Sequence, residues 1–117
     1  MTMEIASTVV DSINLLEISG SFDIYTVTGV RAWFDQAATQ SPLFIVVDLA
    51  QVDFIDSTAL AILVQGLKRA RERDGDISLS GLRAPVRMVF ELTRLDKVFQ
   101  IYPTKEEAIA AFHKHRA

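Results

Sequence analysis

The chain has 117 residues, half of them apolar, a formal net charge of −3 and no cysteine. The length suits a single domain over residues 1–117, and the apolar half is enough for a real core and too much for a disordered chain. The acidic balance argues against direct nucleic-acid binding, which needs clustered Lys and Arg, and the lack of cysteine removes disulfides, thiolate nucleophiles and zinc–thiolate sites.

The N-terminus, Met1 to Ile5, lacks the basic start and apolar run of a signal peptide. No apolar stretch approaches the ~20 residues a membrane-spanning helix needs. The expectation is a cytoplasmic protein without membrane insertion.

In chain order, Met3 to Val10 and Ile13 to Ser19 read as strands, with Asp11-Ser12 supplying hairpin-turn chemistry. Gly20-Ser21-Phe22-Asp23 is expected to break the second strand. From Thr26 to Ala38, Val27, Val30, Phe34 and Ala37 recur at helical spacing. Trp33 lies beside that stripe, so partial burial is favoured over a role as interface anchor. Pro42 ends the helix, because the residue before proline disfavours the helical region. Leu43 to Leu49 is almost unbroken in its apolarity, the pattern of a strand buried on both faces.

A helix is expected from about Thr58 to Arg73, with Leu60, Leu63, Val64 and Leu67 inward. Its basic end, Lys68 to Arg73, is where cations complement the helix dipole, and a solvated end is a simpler reading than a nucleic-acid patch. Asp74-Gly75-Asp76 stops it, with Gly75 as a candidate left-handed cap. Ile77 to Ser80 alternates like a short strand. Val86 to Leu95 is helix-like, with Val86, Val89, Phe90 and Leu92 as inward candidates. Val98 to Tyr102 returns to a strand pattern. Pro103 to Glu107 reads as a cap and first turn of a last helix, with Ala108, Ile109 and Phe112 on its inner face. The order ββαβαβαβα implies an α/β layer fold with right-handed crossovers, and the opening β-hairpin makes the sheet mixed.

The most informative stretch is Val52 to Leu60, which carries Asp56-Ser57-Thr58 at a strand-to-helix junction. The first N–H groups of a helix have no intrahelical partner, and Asp, Ser and Thr cap such ends. The same place suits an anion. Ser57 is therefore either a structural cap or a hydroxyl that carries a phosphate. Phe54, just before the motif, either packs under the loop or contributes to a docking patch.

Three stretches together resemble the STAS domain, and more narrowly the bacterial anti-sigma factor antagonists. They are Gly20-Ser21-Phe22-Asp23, Val46-Val47-Asp48-Leu49 and Asp56-Ser57-Thr58-Ala59-Leu60. Element order and length match from Met3 to about Phe112. The resemblance implies a partner-switching protein rather than an enzyme. Its serine is phosphorylated by a serine kinase that is also the anti-sigma factor, and a metal-dependent Ser/Thr phosphatase reverses the step. The dephosphorylated antagonist binds the kinase and frees the sigma factor. Ser57 falls on the phosphoacceptor, Asp56 and Thr58 on its neighbours, and Asp23 on the acid of the first loop; for Asp23 an Asx-turn role stands equally. Ala59 and Ala61 replace glycines common in the family, and a methyl at 59 could crowd a kinase that approaches the backbone closely. Ser21 stands where an acid is common.

No catalytic, cofactor or metal site is expected. A serine nucleophile needs a base, and the only histidines are His113 and His115 near the end of the chain. No Gly-x-Ser-x-Gly elbow or phosphate-loop glycine pattern is present. The alternative to a switch is a STAS scaffold subunit of a stressosome-like or lipid-transport complex, which the two alanines keep open.

Overall fold

Turn chemistry sets the first pairing. Asp11 and Ser12 both take positive φ, 50° and 70°, the backbone of a two-residue turn whose twist matches flanking strands. They join β1 (Met3–Val10) to β2 (Ile13–Phe22) in an antiparallel ladder. The computed structural model describes residues 3–116, with side chains as far as residue 114. Beyond the hairpin the order is α1 (Val27–Ala37), β3 (Phe44–Ile55), α2 (Ser57–Glu72), β4 (Asp76–Ser80), α3 (Ala84–Leu92), a single 3-10 turn (Leu95–Lys97), β5 (Gln100–Tyr102) and α4 (Lys105–Arg116).

The five strands lie in chain order across one sheet, and β2 to β5 are parallel. Each parallel crossover steps one strand in the same direction, so right-handed connections stack their helices on one face. There Leu16, Ile45, Val47, Leu49, Ile77 and Leu79 of the sheet share one core with Val30 and Phe34 of α1, Leu63 and Leu67 of α2, and Val86 and Phe90 of α3. Trp33 is half-buried, its ring edge-on to Phe34 at 5.4 Å. On the other face α4 covers Ile13, Leu15 and Val46 with Ala108 and Phe112. The expected mixed α/β fold is therefore present, with β3 buried on both faces as its unbroken apolarity required.

Several boundaries differ from the sequence expectation, each for a local reason. β2 does not stop at Ser19: it runs to Phe22 because β3 continues beside it to Ile55, through register shifts after Glu17 and Gly20. β4 accompanies β3 only as far as the Asp48–Ser80 pair. The ends of β2 and β3 thus project as a two-stranded spur, and α2 starts at its tip.

The left-handed residue after α2 is Asp74 (φ 58°), not Gly75. Gly75 is needed for a different reason: any Cβ there would overlap the Leu43 carbonyl, where the Asp76 N–H lands at 3.1 Å. Leu92 points outward and is 78% exposed, because α3 ends there and turns away through Arg94 (φ 64°). Val98 and Phe99 precede β5 rather than form it: their N–H groups close the 3-10 turn on the Leu95 carbonyl. Thr104 caps α4 as expected, its Oγ1 accepting the Glu107 N–H at 3.2 Å.

Candidate functional site

The site is built at the tip of the spur from two loops that one carboxylate joins. Asp56 has an extended backbone (φ −119°, ψ −179°) and is the N-cap of α2. Its Oδ1 accepts the Ala59 N–H at 3.0 Å, and its carbonyl accepts the Leu60 N–H at 3.0 Å, the first helical bond. Its Oδ2 accepts the Ile24 N–H at 2.9 Å, and its own N–H donates to the Phe22 carbonyl at 3.3 Å. Asp56 therefore caps the helix and ties the loop after β2 to it.

Ser57 is freed from capping. It is the first residue of α2, exposed, and its hydroxyl has no hydrogen-bond partner among the described residues. Of the two readings of Ser57, the cap falls to its neighbour: Asp56, one residue earlier, occupies the N-cap position, from which a side-chain oxygen reaches the N3 amide. Thr58 is half-buried and, among the described residues, has no side-chain partner either. A phosphate on Ser57 would sit at a helix N-terminus, where the first amides and the dipole favour negative charge.

Asp23 is brought into the same loop system but plays a different part. It is 3% exposed, and its Oδ1 accepts the Tyr25 N–H at 2.9 Å, an Asx turn. Its carbonyl accepts from Thr26 and Val27 at 2.9 and 3.0 Å, starting α1. The Thr26 hydroxyl donates to the Ser21 carbonyl at 2.7 Å and accepts the Asp23 N–H at 3.0 Å. Asp23 and Thr26 thus lock a tight turn from inside, and Asp56 holds it from the α2 side.

What that turn presents was not foreseen from the sequence. Ile24 and Tyr25 stand out from it, 59% and 89% exposed, next to the Asp56 contact. Phe54, half-exposed in β3, pairs with Ser21 across the spur and does not pack under the loop. The only signal in the sequence was two large apolar residues set between a turn-forming Asp and Thr; the closed Asp23–Thr26 turn is what directs them outward. The Ala59 methyl is fully buried in the core beneath α2; Ala61 alone of the two alanines faces solvent.

The histidines stand apart from this site. His113 Nε2 lies 3.5 Å from Asp11 at the hairpin turn, and the side chain of His115 lies outside the described residues. Among the described residues no three His, Asp or Glu are grouped to hold a metal, and no helix is long and apolar enough to cross a membrane.

A single mixed sheet with a carboxylate-capped, outward-facing serine where a parallel strand meets a helix defines a small α/β module with an exposed hydroxyl at its tip. The particular family follows from comparison. The STAS domain matches residues 4–108, and the chain belongs to that family. It is 28% identical over 101 residues to the anti-sigma-B factor antagonist of Listeria monocytogenes, a match covering 86% of this chain and 88% of that one. Its fold superimposes on an anti-sigma factor antagonist from Mycobacterium paratuberculosis with a TM-score of 0.84 at 28% identity, over 94% and 93% of the two chains. An anti-sigma-factor antagonist (STAS) domain protein from Planctomyces limnophilus gives 0.81 at 27% identity, over 92% and 96%.

Proposed function

We propose that this chain is an anti-sigma factor antagonist that acts as a partner switch controlled by phosphorylation of Ser57. The observation that carries the reading is the division of labour at the α2 start: Asp56 does the capping, so Ser57 is exposed and without a structural task. A serine needed as a cap would lose a helix bond on modification; this one would not. Similarity to anti-sigma factor antagonists supports the partner class, an anti-sigma factor; the proposal adds that this factor is itself a serine kinase and that a metal-dependent phosphatase reverses the mark.

The docking surface would combine Ser57 with Ile24, Tyr25 and Phe54, large apolar side chains that the fold leaves exposed around the spur. Aromatic residues in such positions carry much of the energy of protein interfaces. Phosphorylation adds about −1.5 to −2 charges and three acceptor oxygens. Because the mark lands at a helix N-terminus, the fold tolerates it, whereas a partner covering it must desolvate a dianion lacking a matched cation. A penalty of ~2–5 kcal/mol at such a contact weakens binding by roughly 30-fold to several thousandfold, enough to switch without rearranging the domain. The burial of the Ala59 methyl supports the reading, since that methyl does not stand in a kinase's way.

Incubation with ATP and a serine-kinase anti-sigma factor, followed by mass spectrometry, tests the proposal. One added phosphate, mapped to Ser57 and absent in Ser57→Ala, is the expected result. A stable stoichiometric complex with no mass gain would instead identify a scaffold subunit.

A further inference from the structure

Of the two strands at the edges of the sheet, only one is guarded. β5 is 3 residues long, and so short an edge offers little to pair with. β1 has 8 residues, its ladder to β2 runs without a register shift, and it carries no proline and a single charge, that of Glu4. Every residue from Glu4 to Val10 is exposed, with Ile5, Val9 and Val10 as large apolar side chains among them. Among the described residues no strand pairs with the outer side of β1. A long, regular and apolar edge is a template for another strand.

The hairpin decides which backbone groups that edge presents. Val10 and Ile13 flank the two-residue turn and are therefore a pair of the hydrogen-bonded kind, and such pairs alternate along an antiparallel ladder. Thr8, Ala6 and Glu4 then turn their N–H and C=O groups to β2; the Ser19 hydroxyl meets the Glu4 carbonyl there at 3.5 Å. Ile5, Ser7 and Val9 turn theirs outward. The stretch Ile5-Ala6-Ser7-Thr8-Val9 also reads alike in both directions, a β-branched apolar residue at each end and short side chains between.

We propose that β1 is a self-association surface, and that its occupant is β1 of a second copy of this chain, antiparallel, with a two-fold axis at Ser7. In that register Ile5 of each copy stands directly opposite Val9 of the other, on one face of a sheet continuous through both copies. The outward groups of Ile5, Ser7 and Val9 bond to those of Val9, Ser7 and Ile5. Glu4 meets Val10, so the one charge of the strand never faces itself, as it would in a parallel in-register pair, where like charges opposite each other weaken a sheet. Sliding the strands by two residues sets Ile5 against Ser7 and loses the match. Ser57, Ile24, Tyr25 and Phe54 lie on other elements, so this surface is distinct from the proposed kinase contact.

Sedimentation velocity of the full chain over a concentration series tests the proposal. The expected result is a reversible step from monomer to dimer that stops at two copies, because an isologous contact closes on itself. Ile5→Lys should weaken the dimer roughly tenfold or more, since the substitution counts twice across the axis. Val9→Lys, at the more exposed member of the pair (68% against 36%), should do the same and guards against a folding defect in the first variant. Ile5→Lys combined with Val9→Glu should bring association back at the wild-type net charge. Only the antiparallel register centred on Ser7 sets the introduced ammonium against the introduced carboxylate of the other copy. Tyr25→Ala should leave the dimer as it is. A chain that stays monomeric to its solubility limit overturns the proposal and leaves the edge to a strand of another protein. A dimer that neither lysine variant weakens, that the double variant fails to restore, or that Tyr25→Ala dissolves overturns it as well.

Discussion

Replacing Asp56 by alanine removes two hydrogen bonds to a carboxylate at once, Oδ1 to the Ala59 N–H and Oδ2 to the Ile24 N–H. An N-cap bond contributes ~1 kcal/mol. The bond to Ile24 is partly solvated and is placed at the low end for a charged acceptor, ~1–1.5 kcal/mol. Loss of negative charge beside the helix N-terminus adds ~0.3 kcal/mol or more. The expected total is ~2–3 kcal/mol, which for a domain of this length lowers the melting temperature by about 8–12 °C. Asp56→Asn should fall between, because its amide offers one acceptor oxygen and presents an NH₂ to the second N–H. Ser57→Ala should stay within ~0.5 kcal/mol of wild type, since its hydroxyl has no hydrogen-bond partner among the described residues. Thermal and urea unfolding followed by circular dichroism read all three. If Ser57→Ala costs as much as Asp56→Ala, or if Asp56→Ala is silent, the assignment of the cap and the freedom of Ser57 are both wrong.

Other expectations follow from the same geometry. Tyr25→Ala should leave unfolding unchanged, because the ring is exposed in the free protein, while weakening the proposed complex with an anti-sigma kinase roughly tenfold, measured by calorimetry. Gly75→Ala should destabilise the domain strongly in urea titrations, since its methyl overlaps the Leu43 carbonyl that pairs with Asp76. The Lys105 pKa is raised above 10.5 by its hydrogen bond to and charge attraction from Glu17. Its contribution is therefore complete below pH 10.5 and lost as the pH climbs through the raised value, so Lys105→Met should flatten that alkaline loss of stability in pH-dependent unfolding.

The parts of the fold set by repeating patterns were legible in the sequence. The period of Val27, Val30, Phe34 and Ala37 placed α1, and the unbroken run from Leu43 to Leu49 placed a strand buried on both faces. What was hidden depended on neighbours distant in the chain. The extension of β2 to Phe22 and β3 to Ile55 exists because each supplies the other's hydrogen bonds, which neither segment announces alone. Gly75 looked like a conformational cap, but its constraint is the passing Leu43 backbone, 32 residues earlier.

The site shows the same limit. The Asp-Ser-Thr spacing located a helix start with capping chemistry, yet could not say which residue capped. That was decided by geometry: Asp56 at the N-cap has one oxygen for the helix and one left for Ile24. The outward Ile24 and Tyr25 follow from the Asp23–Thr26 lock, a turn whose internal hydrogen bonds appear only when the loop is closed.

The most direct test of the switch is one titration, that of a serine-kinase anti-sigma factor with unmodified protein and with protein phosphorylated on Ser57. The unmodified form should bind, and the phosphorylated form should bind at least roughly 30-fold more weakly with its circular dichroism spectrum unchanged. Equal affinity of the two forms would contradict the switch, whatever the site's resemblance to others of its family.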